Sequence, residues 1–151
     1  MAPAFDCSEQ FAFDKPACAA CPNLDPDDRC RIHDRLEPEG FGGCVLFDCL
    51  GAGQRVVQQL YPGRSWREEP ELLPQMWQAL TALRAVHEQI LFLQAAGKLP
   101  LSEDERGTLD ALLAEMEPDG GWTPEGLAVS GVAARQRAAV FLRSLRRHFP
   151  A

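Results

Sequence analysis

All six cysteines of this chain, Cys7, Cys18, Cys21, Cys30, Cys44 and Cys49, fall within residues 1–49, and none occurs in the remaining two-thirds. Core packing does not call for such clustering. In an exported chain an even count predicts disulfides, whereas a reducing compartment favours metal ligation or redox chemistry. The segment Met1–Asp14 has no apolar run of signal-peptide length and carries Asp6, Glu9 and Asp14 where a signal would be basic. The expectation is therefore a cytoplasmic protein whose thiols bind metal, with redox-active or disulfide-paired cysteines and free structural thiols as the alternatives. Soft thiolates select zinc or an iron–sulfur cluster, and four of them complete either ligand shell.

Only Cys18 and Cys21 have the tight C-x-x-C spacing; eight, thirteen and four residues intervene at the later gaps. Gathered thiolates need compensating charge. Arg29 and Arg31 flank Cys30 and Arg35 lies just beyond, so these arginines are expected either to donate to sulfur or to stand in solvent. His33, three residues after Cys30, either replaces a thiolate or bonds to a carboxylate such as Asp34. Asp-, Pro- and Gly-rich punctuation, Asn23–Asp28 and Glu37–Gly40, makes residues 1–49 a module of loops and turns.

Helical periodicity takes over in residues 50–151. A first helix is expected from about Leu46 or Cys49 to Leu60, with Val56, Val57 and Leu60 on its apolar side and Tyr61-Pro62-Gly63 as its stop. Gly51 and Gly53 mark either a close backbone approach or a loop before a shorter helix. A second helix spans about Pro70 to Ala96, where Leu73, Met76, Trp77, Leu80, Leu83, Val86, Ile90, Leu91 and Leu93 recur at helical spacing before Gly97 and Pro100. Ser102 and Glu105 form a capping-box pattern that opens a third helix carrying Leu109, Leu112, Leu113 and Met116. Thr123 and Pro124 supply an N-cap and a first helical residue for the last, which carries Leu127, Val132, Val140, Phe141, Leu145 and Phe149. The predicted fold is all-α: an irregular cysteine-rich module, 1–49, packed on an antiparallel bundle of about four helices, 50–151. Trp66, Trp77 and Trp122 are expected to fill the core or the junction of module and bundle.

A net charge of −7 argues against nucleic-acid binding, which depends on clustered Lys and Arg. The one basic group, Arg135, Arg137, Arg143, Arg146 and Arg147, suits the negative end of the last helix, as does His148. No stretch approaches the roughly 20 apolar residues that span a bilayer. His87 reads as a structural residue of the second helix; a cysteine nucleophile with a histidine base, Cys49 or Cys30 with His33 or His87, is possible in principle, and whether the chain is an enzyme stays open.

Four segments, Ala20-Cys21-Pro22-Asn23-Leu24, Arg29-Cys30-Arg31-Ile32-His33, Gly40-Phe41-Gly42-Gly43-Cys44 and Phe47-Asp48-Cys49, resemble the later half of the pattern of the zinc- or iron-chelate-binding cysteine-cluster family. With Gly51-Ala52-Gly53-Gln54-Arg55-Val56 and Ser65-Trp66-Arg67, about residues 5 to 95 are similar to the cysteine-rich helical region beside pentapeptide repeats in some bacterial proteins. The resemblance implies metal on Cys21, Cys30, Cys44 and Cys49, and implies no activity. The upstream cysteine group of the pattern is missing here, there are no pentapeptide repeats, and Cys7 and Cys18 stand where the pattern requires no cysteine. The expected function is a structural or interaction-supporting metal centre, zinc or iron–sulfur, with a protein partner or a second copy of the chain; an electron-transfer or enzymatic iron–sulfur protein and a metal-free helical interaction protein are the alternatives. Metal in such a module supplies folding free energy, so its loss is expected to unfold residues 1–49.

Overall fold

The computed structural model describes residues 3–148 and is all-α; among these residues backbone pairing outside helices is confined to isolated bridges, with no strand. Besides a short 3-10 turn at His33–Arg35, the helices are α1 (Gly42–Leu46), α2 (residues 52–60), α3 (Leu72–Ala96), α4 (Glu103–Met116) and α5 (residues 124–148). The chain divides into two compact units. The first comprises residues up to Cys49 together with Ser65–Trp77, and the second comprises Leu50–Arg64 with the residues from Gln78 onward. Phe149, expected on the last helix, lies outside the described residues.

In the second unit the helix ends follow from local chemistry. Ser102 Oγ accepts from the Glu105 amide at 3.3 Å while Glu105 Oε2 accepts from the Ser102 amide at 2.9 Å, the full reciprocal cap. Thr123 caps α5 by accepting from the Gly126 amide at 3.0 Å, with Pro124 in the first turn. Glu105, at the start of α4, meets Arg147 at 2.6 Å and His148 at 3.2 Å at the end of α5, while Glu115 near the other end of α4 pairs with Arg137. The two helices therefore run antiparallel. Their acids, rather than a helix terminus alone, take up part of the basic group.

α2 is shorter than expected, starting at Ala52 after a left-handed Gly51 (φ +77°) and passing into a π-turn over Val56–Leu60. A side chain at Gly51 would meet open space, so this glycine serves the turn and not a close approach. Val56 and Leu60 are buried, but Val57, expected beside them, is 42% exposed. A second π-turn, Leu127–Gly131, opens α5, and its buried face runs through Leu127, Gly131, Ala134, Ala138, Phe141 and Leu145. Val132 and Val140, placed inside by the sequence reading, are exposed, as is Leu91 of α3.

The Ser102 amide holds the Glu105 carboxyl down to about 2, with His148 and Arg147 adding to the effect against a smaller upward push from burial. A depressed carboxyl contributes stability that is present above its ordinary value of 4.5 and is lost as pH falls towards about 2. Thermal melts across that window are expected to show Glu105→Gln losing less of its stability on acidification than the parent chain. Parallel curves for the two proteins would remove the assignment.

Candidate metal centre

The first unit is built from two hairpin turns and an aromatic cluster. Phe5 and Lys15 exchange backbone bonds of 3.0 and 2.8 Å, and Ser8 pairs with Phe11, closing a loop over residues 5–15. Phe5 stacks on Phe11 at 4.3 Å, and Phe41 meets Phe13 and Phe5 edge-on at 5.1 and 6.4 Å. Phe41 also begins α1, whose Gly43 amide donates to Gln10 O at 3.1 Å. A Cβ at Gly43 would lie 2.2 Å from the Phe11 ring, so only glycine allows this approach. None of this cluster was read from the sequence.

A second turn carries Cys21 and Cys30. The Leu24 amide donates to Cys21 O at 3.0 Å, the Arg31 amide to Asn23 O at 2.8 Å and the Asp25 amide to Arg29 O at 2.9 Å. Asp25 Oδ1 accepts from the Asp27 and Arg29 amides at 2.9 and 2.8 Å, which closes the turn in the manner of an Asx motif. Arg31 donates to the carbonyls of Pro22 and Leu24 at 2.9 and 3.1 Å. Arg67, stacked over Trp66 at 4.7 Å, donates to Asp28 Oδ1 at 2.8 Å and Asp25 O at 2.6 Å. The sequence had Arg31 and Arg35 facing sulfur or water. Both are exposed, as the second alternative has it, with Arg31 also binding backbone and Arg35 pairing with Glu39 at 3.3 Å.

Cys44 sits in the middle of α1. Burial of part of the group pushes its thiol up, and the charges of Cys21 and then Cys30 push it further, although the residue as a whole is exposed. Cys49, half-buried, lies three residues beyond α1. Cys7 is turned to other partners: its amide donates to Asp14 Oδ1 at 2.5 Å and its thiol to Ala12 O at 3.7 Å, in an exposed loop. His33 is exposed, with Nδ1 3.4 Å from Asp34, the non-ligand reading of that residue. Cys7, Cys18, Cys21, Cys30 and Cys44 are free thiols.

Lys15 is the charged group that the sequence reading missed. It is buried, 5% exposed, and its Nζ donates to Ala19 O at 2.8 Å and Pro16 O at 3.2 Å while lying 5.3 Å from the Phe5 ring centre. Burial lowers its pKa; the neighbouring thiols of Cys21 and Cys18 oppose that shift. The signal available was its isolation, as the one basic residue before Arg29.

Thiols are the donor type that a soft metal takes, and here a buried cation and a fixed turn lie in the same unit as the cysteines. Among the described residues, no three Cys, His, Asp or Glu side chains surround a common point closely enough to hold an ion. No helix among these residues is long and apolar enough to cross a membrane. No protein family matches the chain, nor does any solved structure. It is 34% identical over 110 residues to the uncharacterized protein YybG of Bacillus subtilis (strain 168), a stretch covering 73% of this chain and 39% of YybG. The matched stretch thus spans well under half of that longer relative.

Proposed function

We propose that the first unit is a thiolate metal centre of structural or interaction-supporting role, held by Cys21, Cys30, Cys44 and Cys49 and taking zinc or an iron–sulfur cluster. The electrostatic influence of Cys21 and Cys30 on the Cys44 thiol carries the reading. Lys15 supports it, since a buried ammonium beside Cys18 and Cys21 stabilises negative sulfur. Bound metal would supply the cross-link between the hairpin turn and α1. Because thiols ligate as thiolates, uptake releases protons and strengthens as pH rises.

Elemental analysis and visible absorption of protein purified anaerobically under reducing conditions test this. A colourless sample with one equivalent of zinc assigns a structural zinc centre, and charge-transfer absorption with iron assigns a cluster. Protein that lacks both metals and fails to take up either when supplied would refute the proposal. An interaction role draws support from Val45, Leu46 and Phe47, three consecutive apolar residues beside Cys44 that are 55%, 75% and 50% exposed. A protein partner or a second copy of this chain fits that surface; with a net charge of −7, a nucleic acid does not.

A further inference from the structure

The second unit carries a cavity of about 340 Å³, lined by Arg55 of α2, by His87, Ile90, Leu91 and Gln94 of α3, and by Glu117 at the end of α4. Its size is at the small end of the range for ligand sites. Arg55 Nη2 lies 3.4 Å from Glu117 Oε1, and Arg55 Nη1 lies 3.5 Å from His87 Nε2. His87 Nδ1 is 2.7 Å from the carbonyl of Leu50. A carbonyl only accepts, so Nδ1 carries the proton and Nε2 is the acceptor that faces Arg55.

The rim is strained. Leu50 has φ +53° and Gly51 φ +77°, and a left-handed conformation is uncommon for a residue with a Cβ. Such conformations persist where surrounding contacts enforce them, and they collect at binding sites. Here the enforcing contact comes from His87, which also lines the cavity.

The charges of the lining select the ligand. Arg55 and Glu117 are one cation and one anion, both partly exposed, joined by a contact longer than a good charge-assisted hydrogen bond. A bare carboxylate drawn to Arg55 meets the Glu117 carboxylate, and a bare amine meets the reverse conflict. A molecule with both charged groups on one carbon satisfies both walls without adding net charge. Ile90 and Leu91, the latter 49% exposed, offer apolar surface beside them. We propose that this cavity binds an aliphatic α-amino acid, its carboxylate on Arg55, its ammonium on Glu117 and the Gln94 amide oxygen, and its side chain against Ile90 and Leu91. A peptide terminus carries only one of the two charges and is disfavoured on the same ground.

The test is a titration of the whole chain with L-leucine, followed by the backbone amides of Gly51 and Ala52 and the His87 ring signals in NMR spectra. Saturable shifts are expected with leucine. 4-Methylpentanoate, which lacks the ammonium, and 3-methylbutylamine, which lacks the carboxylate, are expected to bind at least about tenfold more weakly. Because Arg55 also ties α2 to α3, the deciding variant is Glu117→Gln, at a half-exposed helix end. It should keep the parent spectrum and lose about tenfold in leucine affinity. Shifts that never saturate with leucine, a half-molecule that binds as tightly as leucine, or unchanged affinity in Glu117→Gln would each overturn the assignment.

Discussion

Replacing Phe41 with alanine is expected to cost about 3–5 kcal/mol and to melt the first unit before the second. Phe41 is 4% exposed and is the ring on which Phe5 and Phe13 converge. Its amide also donates to Leu36 O at 2.7 Å, so it anchors the chain leading into α1. Truncation leaves a cavity among rings that cannot all slide inward, because Phe5 is pinned to Lys15 by two backbone bonds. Hydrogen exchange reads this directly: protection at Phe5 and Lys15 should collapse while that of α4 persists. An unfolding free energy within about 1 kcal/mol of the parent would show that the cluster is peripheral. The experiment also bears on the expectation that residues 1–49 unfold without metal, since the aromatic cluster gives this unit a core that owes nothing to sulfur.

The second large effect concerns the thiols. Under the metal-centre proposal, Cys44→Ser or Cys49→Ser abolishes metal binding and Cys7→Ser leaves it intact. Cys44 is electrostatically coupled to Cys21 and Cys30, whereas Cys7 bonds to Ala12 and Asp14 in its own loop. Cys18 shares Lys15 with Cys21, which makes it the competitor of Cys49 for the fourth position. Metal stoichiometry across the six single Cys→Ser variants decides between them. If Cys7→Ser loses the metal while Cys44→Ser keeps it, the ligand set is wrong.

Where structure depends on neighbours in sequence, the chain was readable. The Ser102/Glu105 cap, the Thr123-Pro124 start and the Tyr61 stop all lie within a few residues of what they control, and each stands at the expected helix end. The buried face of α5 was not readable in the same way. Apolar size points to Val132 and Val140 as inward, but much of the interior position is held by Gly131, Ala134 and Ala138, which leaves both valines in solvent. A side chain at Gly131 would approach Leu127 and Val86, so packing there depends on smallness and not on hydrophobicity.

The first unit hid more, because its contacts join distant residues. Phe5, Phe11, Phe13 and Phe41 have no shared periodicity, and their meeting depends on a turn that no Asn-Gly or Asp-Gly signal announced. Arg67 reaches back to Asp25 and Asp28, a pairing that spacing cannot suggest. The grouping of Cys21, Cys30 and Cys44 came from resemblance, and the burial of Lys15 had no signal beyond its isolation among acidic and neutral residues.

Guanidinium groups occupy the carbonyls of Pro22 and Leu24 through Arg31, and that of Asp25 through Arg67. The consequence is preorganisation. Ordering a residue's backbone costs about 1–2 kcal/mol, and in this turn folding has already met that cost before any ligand arrives. Whatever closes on Cys21 and Cys30 therefore meets a polypeptide that surrenders little further entropy, and its binding free energy is retained as affinity instead of being consumed in shaping the site.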